Sequence, residues 1–330
     1  MKKYMLRAVA LLCALLMMPV FAGCDNGSSQ ETEGTVYYTL SFNTNGGTPI
    51  DSIQVREGRK AKAPDDPVLD NYIFCRWLMS DGRTWYFDSK TVNKDTLLEA
   101  MWIKAEDLFK LEPMPDSDGI MITGIKLQEE FELLKIPSVI NGKKVEGIGD
   151  EALESIHERH AKSILMPETL RYVGENGCAL IGTSTLMFTG VLTHIGESAF
   201  EQNALLQSVT LGTGIEKIPY RAFASCTSLR TANVPEGATT IEENAYEDCS
   251  GLLTVVLPSS LTTVESSAFA GCNALKTVFF LGNETQLDAM EIAPDNEALL
   301  DAKVYFYSET EPTAEGDYWH YDASGSPITW

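Results

Sequence analysis

Basic residues and histidine are scarce in this sequence of 330 residues. Lys and Arg together number 25, against 47 Asp and Glu, and with only 4 His the formal net charge is -22. A chain with this balance repels phosphate, which excludes binding to the backbones of DNA and RNA. The charge leaves open a cationic partner, a neutral glycan or a divalent metal ion.

Motifs that carry catalysis are also missing. The sequence has no Gly-x-Ser-x-Gly, no phosphate-binding loop and no dinucleotide fingerprint. His157 and His160 stand three residues apart on an expected helix, but no third metal ligand accompanies them. The acidic residues are scattered, so the carboxylate pair of a glycosidase cannot be singled out. We therefore predict a protein that is not an enzyme and that holds neither a cofactor nor a metal.

Long apolar runs are confined to the N-terminus. Lys2, Lys3 and Arg7 precede an apolar run that is too short to span a hydrocarbon core of ~30 Å as a helix. The run ends at Phe21-Ala22-Gly23-Cys24, which has the layout of a secretory signal with a small-residue cleavage site. No later run is long enough to span a bilayer, so we expect no other membrane segment.

The cysteine at this cleavage site resembles the lipidated cysteine of the bacterial lipobox, although Phe21 stands where leucine is most common. The resemblance implies removal of residues 1–23, lipidation of Cys24 and export to the bacterial cell envelope with exposure at the surface. An uncleaved anchor and cleavage without lipidation are the alternatives. Residues 24–35 are polar and acidic with Gly and Ser, which predicts a flexible tether.

Residues 36–103 predict a small β-rich domain. Residues 38–42 alternate with a period of two, and Asn45-Gly46-Gly47 supplies a tight turn. Further markers follow in the order Gly58, Pro64, Pro67, Tyr72-x-Phe74-x-x-Trp77, Phe87-Asp88 and Thr96-Leu97-x-x-Ala100-x-Trp102. This order resembles the Listeria–Bacteroides repeat, also called the internalin-type B repeat, which implies a β-grasp-like fold used as a spacer. The aromatic residues are either a sugar-stacking platform or the core, and a domain this small favours the core.

Self-similarity dominates the second half of the chain. An Ile or Val opens each unit at intervals of about 23 residues, within the range of leucine-rich repeats. These openings are Ile148, Val173, Ile195, Ile218, Ile241 and Val264. A unit continues with an alanine–aromatic pair such as Ala222-Phe223, expected on a short helical turn, and a strand such as residues 255–257. We expect one strand per unit, stacked into a parallel sheet with rungs about 4.8 Å apart.

A column of small residues recurs eight positions after each of the later openings. It consists of Asn203, Cys226, Cys249 and Cys272. Such a column predicts a buried structural ladder that packs compactly or satisfies backbone groups of the turns. Of the 7 Cys, five remain when Cys13 and Cys24 are set aside, and an odd number argues against a disulfide framework. We therefore predict free, buried thiols.

The recurring spacing IgxxAFxxCxxLxxVxIP resembles the BspA-type, or treponemal-type, leucine-rich repeat. The resemblance implies an α+β chain, in which a solenoid of parallel strands and short helical turns follows the β-grasp-like domain. It assigns residues 119–147 to an N-terminal cap, 148–303 to the repeats and 304–330 to a C-terminal cap. Residues 104–118 contain Pro113, Pro115 and several acids, which predicts a linker or hinge.

Outward-pointing strand positions of the array are the candidate partner-binding face. These positions are Ser208, Thr210, Thr231, Asn233, Thr254, Val256, Thr277 and Phe279, and Leu253 lies beside them and completes the face. The face becomes apolar at Val256 and Phe279. An exposed apolar strip among polar residues is suited to binding a protein or a glycan. The alternative is that the C-terminal segment covers both residues.

The resemblance carries the functional expectation. It implies a non-catalytic surface protein for adhesion, with a host, matrix or neighbouring-cell protein as partner and no nucleic acid. The membrane would be contacted only through the N-terminal lipid. The alternative is a glycan-binding or nutrient-uptake accessory lipoprotein. Because fold-level analogy carries this argument, the ligand stays unspecified.

Overall fold

The computed structural model describes residues 35–126, 130–154, 156, 161–181, 186–187, 192–207, 211–313 and 315–330, with only the backbone at 186–187. The expected signal segment with Cys24, the His157–His160 pair, and the face positions Ser208 and Thr210 lie outside these residues. Residues Tyr37–Trp330 form one compact unit. Within the described residues, no helix is both long and apolar enough to cross a membrane.

A four-stranded sheet forms the first part of this unit. Its strands and two short flanking ones are β1 (Tyr37–Asn43), β2 (Ile53–Arg56), β3 (Arg59–Lys60), β4 (Tyr72–Leu78), β5 (Thr91–Val92) and β6 (Thr96–Lys104). The strand order is β2-β1-β6-β4, with β1 and β6 parallel, and β3 pairs separately with β5. Leu40, Trp77, Trp85 and Leu98 are buried in its core. The aromatic residues Trp77 and Trp85 therefore serve first as core, as the small domain size favoured.

The expected linker at residues 104–118 is instead ordered structure, and that expectation is wrong. Helix α1 (Ala105–Leu108) leads into β7 (Phe109–Pro113), which pairs antiparallel with β8 (Ile120–Ile125). Leu108 and Phe109 are buried in the same cluster as Ile73 and Cys75 of β4. The prolines and acids suggested a hinge, but this apolar pair ties the first sheet to the array through one continuous core.

The remaining elements alternate between two stacks of short strands. In chain order they are β9 (Phe131–Lys135), β10 (Val139–Ile140), β11 (Lys143–Ile148), β12 (Ala161–Leu165), β13 (Tyr172–Val173), β14 (Leu186–Met187), β15 (His194–Ile195), β16 (Lys217–Ile218), β17 (Thr231–Asn233), β18 (Thr240–Ile241), β19 (Thr254–Leu257), β20 (Thr263–Val264), β21 (Thr277–Phe280), α2 (Glu284–Asp288), β22 (Glu291–Ile292), α3 (Glu297–Leu300), β23 (Lys303–Tyr307), β24 (Tyr318–Tyr321) and β25 (Pro327–Thr329).

Each later coil contributes two strands rather than the expected one. The opening residues pair directly from coil to coil, as Ile218 with Ile241 and Ile241 with Val264, giving the parallel order β16-β18-β20-β22. The longer strands form a second parallel stack, β17-β19-β21-β23, which β24 and β25 extend. The parallel stacking of the coils is thus confirmed. Isolated two-residue strands were missed because they are too short to show alternation.

The segment that carries each aromatic residue is a series of turns, not the expected short helical turn. Ser198, Arg221, Asn244 and Ser267 all have φ between 51° and 59°, which is the left-handed region. Their turns direct amide groups towards the following coil. The amides of Phe200, Phe223 and Tyr246 donate to the carbonyls of Ala222, Ala245 and Ala268, each over 2.8 Å. A third ladder of backbone hydrogen bonds therefore joins the coils, and it replaces the bonds of a helix.

The aromatic rings of successive coils stack into one column. Phe200, Phe223, Tyr246 and Phe269 are buried, and neighbouring ring centroids lie 5.0, 5.2 and 5.2 Å apart with planes within 12° of parallel. Each ring fills the space above the ring of the coil before it, so no coil can bury its aromatic residue alone.

The ladder of small residues satisfies the turn carbonyls beside this column. The thiols of Cys226, Cys249 and Cys272 donate to the carbonyls of Phe200, Phe223 and Tyr246 over 3.2, 3.1 and 3.1 Å. Asn203 occupies the preceding rung and donates its amide to the carbonyls of Cys178 and Phe200 over 2.8 and 2.7 Å. All cysteines in the described residues are free and buried. Burial raises the pKa of the Cys226 thiol to about 12, so it stays protonated.

Asn296 ends the third ladder, the one that joins the turns of successive coils, on its C-terminal side. Its side chain is fully buried, and its Oδ1 accepts the amide of Phe269 over 2.9 Å. Its Nδ2 donates to the carbonyls of Glu265 and Ala293 over 2.9 and 3.0 Å. One asparagine thus supplies the acceptor that the backbone of a further coil would have offered.

Candidate functional site

The outward side of the longer strands carries two columns of side chains. Thr231, Thr254 and Thr277 are aligned from strand to strand and half-buried. The second column aligns Asn233 with Val256 and Val256 with Phe279, and Asn233 is exposed. Because alternate residues of a strand point to opposite faces, both columns share the side that faces away from the array's core.

Val256 and Phe279 are not exposed, so their place in the candidate face needs correction. They form a separate buried cluster with Trp319 of β24. The Trp319 ring lies 5.0 Å from that of Phe279, and its Nε1 donates to the carbonyl of Phe280 over 3.1 Å. The C-terminal segment therefore covers the apolar strip, which was the alternative left open by the sequence. A partner cannot contact these two residues without displacing Trp319.

Two tyrosines lie against the covering ring, and we name the group the aromatic lid: buried Trp319 with Tyr307 and Tyr321 beside it. The rings of Tyr307 and Tyr321 lie 5.3 and 4.8 Å from that of Trp319, and both tyrosines remain partly exposed. Burial, Glu236 and Tyr307 together raise the pKa of Tyr321, so its hydroxyl stays neutral. Sequence reasoning missed the lid, although Trp319 and Tyr321 are spaced two apart as on one face of a strand.

A row of exposed residues directly before the longer strands lies at the edge of the candidate face and, like Asn233, remains exposed. Arg230, Leu253 and Lys276 occupy equivalent places in three consecutive coils, and all three are exposed. The amide of Leu253 donates to the carbonyl of Arg230 over 2.9 Å, and that of Lys276 to the carbonyl of Leu253 over 3.1 Å. We name these residues the 230–276 row. An apolar side chain thus stands between two cations on a chain whose net charge is -22.

His194 and His320 both lie in ring stacks in the described part of the chain. Its residues contain no group of three or more His, Cys, Asp and Glu placed to hold a metal ion. His194 stacks on Tyr172 with ring centroids 4.5 Å apart. Burial is the main cause that lowers the pKa of His194, and the charge of Lys217 lowers it further. His320 stacks on Trp330 at 3.8 Å. Both histidines therefore take packing roles.

Comparison with known proteins identifies both parts of the chain. The BspA type leucine rich repeat region matches in 6 copies over residues 127–252 and 176–290, and the Listeria-Bacteroides repeat domain matches residues 38–101. A protein of Evansella cellulosilytica is 31% identical over 67 residues, which are 20% of this chain and 10% of that protein.

Two solved structures are also similar. A leucine rich cell surface protein from Faecalibacterium prausnitzii A2-165 is 26% identical over 55% of this chain and 40% of its own, with a TM-score of 0.38. The leucine rich repeat protein of T. pallidum is 26% identical over 52% of this chain and 68% of its own, with a TM-score of 0.37.

This chain spans about a tenth of the Evansella protein and 40% of the Faecalibacterium one. The family matches agree with the stacked coils and with the separate first sheet described above. Residues 127–290 of the chain are therefore a BspA type leucine rich repeat region, and residues 38–101 are a Listeria-Bacteroides repeat domain.

Proposed function

We propose that the protein is a non-catalytic binding protein of a bacterial cell surface, and that it contacts a partner protein through exposed residues at the edge of its strand face. The observation that carries this proposal is the 230–276 row, in which exposed Leu253 lies between Arg230 and Lys276. An apolar anchor flanked by cations fits a partner segment that presents an apolar side chain among acidic ones.

The rigidity of the array supports this use of the row. Three ladders of backbone hydrogen bonds and one column of stacked rings fix the spacing of neighbouring coils. The backbone positions of the row are fixed before the partner arrives, so association needs to order only side chains. Exposed Tyr307 and Tyr321 of the aromatic lid add amphipathic contact area on the same outward side.

The N-terminal sequence supports the location that this function needs. A basic start, a short apolar run and Cys24 behind Ala22-Gly23 resemble the parts of an exported lipoprotein signal. We propose that a lipid on Cys24 anchors the protein to the envelope and that residues 24–35 hold the folded part away from the membrane. The partner is then a matrix, host-cell or neighbouring-cell protein.

The substitution Leu253→Glu tests the row. It places an acid against the partner's acidic side chains and removes the apolar anchor, so binding should weaken at least about tenfold, or ~1.4 kcal/mol. The measurement is biolayer interferometry of the purified chain against immobilised extracellular-matrix proteins and fixed epithelial or bacterial cells.

Leu97→Glu is the matched control. Leu253 and Leu97 are 40% and 49% exposed, so neither change empties the core, but Leu97 lies on β6 of the first sheet, outside the repeat array. We expect Leu97→Glu to bind like the parent. Failure to bind any surface in the panel, or equal binding by both variants, would contradict the proposed function.

A further inference from the structure

A cavity of about 470 Å³ lies where the first sheet meets the first coils of the array. Its lining comes from residues 63–66 and 84–88, from β4, and from β9 and β12 on the opposite side. The cavity opens to solvent beside Tyr86 and Leu133, and its volume lies within the range of small-molecule sites. The cavity shares no lining residue with the 230–276 row or the aromatic lid.

The floor and walls of the cavity are apolar and firmly held. Phe131 and Cys75 are buried in the core that joins the first sheet to the array, and the ring of Trp85 packs 6.2 Å from that of Phe87. The rim is formed by Tyr86, which is 45% exposed, and by the partly exposed Leu133 of β9. A ligand that entered would meet aromatic and aliphatic surfaces set by two rigid elements.

Charged groups of both signs line the same space. Lys162 of β12 pairs with Glu132 of β9 over 2.7 Å. That pairing is the main cause that raises the pKa of Lys162, and Asp88 and Tyr86, which line the same cavity, raise it further. Burial raises the pKa of Asp66, against the opposing effect of Lys135. Arg76 of β4 also lines the cavity, which thus offers carboxylate acceptors together with ammonium and guanidinium donors.

We propose that this cavity binds a short neutral saccharide. Sugar hydroxyls both donate and accept hydrogen bonds, which matches a lining that carries carboxylates together with Lys162 and the Tyr86 hydroxyl. The apolar face of a sugar ring fits against Tyr86 and the aromatic wall. An anionic ligand would face the carboxylates, and a cationic ligand would displace Lys162 from Glu132, so a neutral ligand fits both sides.

The test uses the full purified chain and a panel of neutral sugars: glucose, galactose, mannose, N-acetylglucosamine, lactose, maltose and cellobiose. Trp77 and Trp85 line the cavity, so a bound sugar should change the intrinsic fluorescence in a saturable way. Calorimetry then gives the affinity. Glucosamine and a sulfated disaccharide test the charge of the ligand, because each carries one sign only.

Two variants change the cavity from opposite sides. Tyr86→Ala removes the rim ring, and Leu133→Trp fills the space from β9 without emptying the core, since Leu133 is partly exposed. Each should weaken sugar binding at least tenfold. Tyr37→Ala, at an exposed tyrosine of β1 outside the lining, should bind like the parent. Thermal melting of each variant shows that the fold is retained.

The proposal is overturned by any of three results. These are no binding of any neutral sugar, binding that both cavity variants retain in full, and binding of the charged saccharides alone. Because Leu253 and its neighbours lie outside the cavity, a failure here leaves protein binding by the 230–276 row intact, and a failure of the row leaves this site intact.

Discussion

Replacing Trp319 with alanine should lower the free energy of unfolding by about 3–5 kcal/mol, as for other large buried aromatic residues. The Trp319 side chain is 0% exposed, covers Val256 and Phe279, and donates its indole N–H to the carbonyl of Phe280. Truncation removes the contacts of the ring, leaves that carbonyl without its donor and exposes an apolar strip. Chemical denaturation followed by circular dichroism gives the free energy.

Trp330→Ala is the control for this change. Trp330 is 46% exposed and lies at the edge of the same terminal strands, so its loss should cost less than about 1 kcal/mol. A hydrophobic dye should bind the Trp319 variant more than the Trp330 variant, because only the former uncovers Val256 and Phe279. Equal destabilisation by both changes would show that the outward strip is not covered by Trp319.

The second large effect is expected at Phe223, in the middle of the aromatic column. Its ring lies 5.0 Å from that of Phe200 and 5.2 Å from that of Tyr246, with planes 12° and 6° from parallel. Phe223→Ala should cost about 3–5 kcal/mol, because the cavity adjoins two rings that cannot both close it. Phe223→Leu should lie between the parent and the alanine variant, since most of the volume is kept.

The comparison for Phe223 is Tyr220→Ala in the same coil. Tyr220 is an exposed residue three positions earlier, so its truncation should change the stability by less than about 1 kcal/mol. Urea unfolding measures all three variants. If Phe223→Ala cost no more than Tyr220→Ala, the rings would not form the shared core that the structure describes.

Much of the array could be predicted because its pattern repeats. A buried position such as Cys249 recurs at a constant interval, and repetition separates buried positions from variable ones without an alignment. The hydrogen bond from its thiol to the Phe223 carbonyl also follows from a small group beside a turn. The parallel direction of the strands follows too, because every coil must lie on the one before it.

Other features depend on contacts between residues far apart in the chain, which periodicity does not reveal. The opening strands, such as Lys217–Ile218, are too short for a pattern and exist through pairing with the next coil. Phe109 is buried against β4, and this contact holds residues 109–113 as a strand although their composition is typical of a linker. Trp319 covers Phe279 only after the chain has passed through β23 and returned beside it as β24.

The candidate site was predictable only in part for the same reason. Thr254 and Leu253 were found from strand position, whereas Val256 was misplaced because its cover comes from the C-terminal segment. Arg230 and Lys276 share the interval of the repeat, so they could have been found by aligning the coils at Leu253. The cavity could not, because its lining joins β4 to β9 and β12 across the fold.

Native-state hydrogen exchange, read residue by residue by nuclear magnetic resonance, tests the shared core most directly. The amides of Phe200, Phe223 and Tyr246 each donate into the next coil. If each coil is stable only when packed on its neighbours, these three amides exchange through one common opening and report the same free energy of opening. Phe223→Ala then lowers that free energy equally at the amides of Phe200 and Tyr246. Three separate free energies, with Tyr246 unaffected by that substitution, would mean that each coil opens alone and would contradict the account.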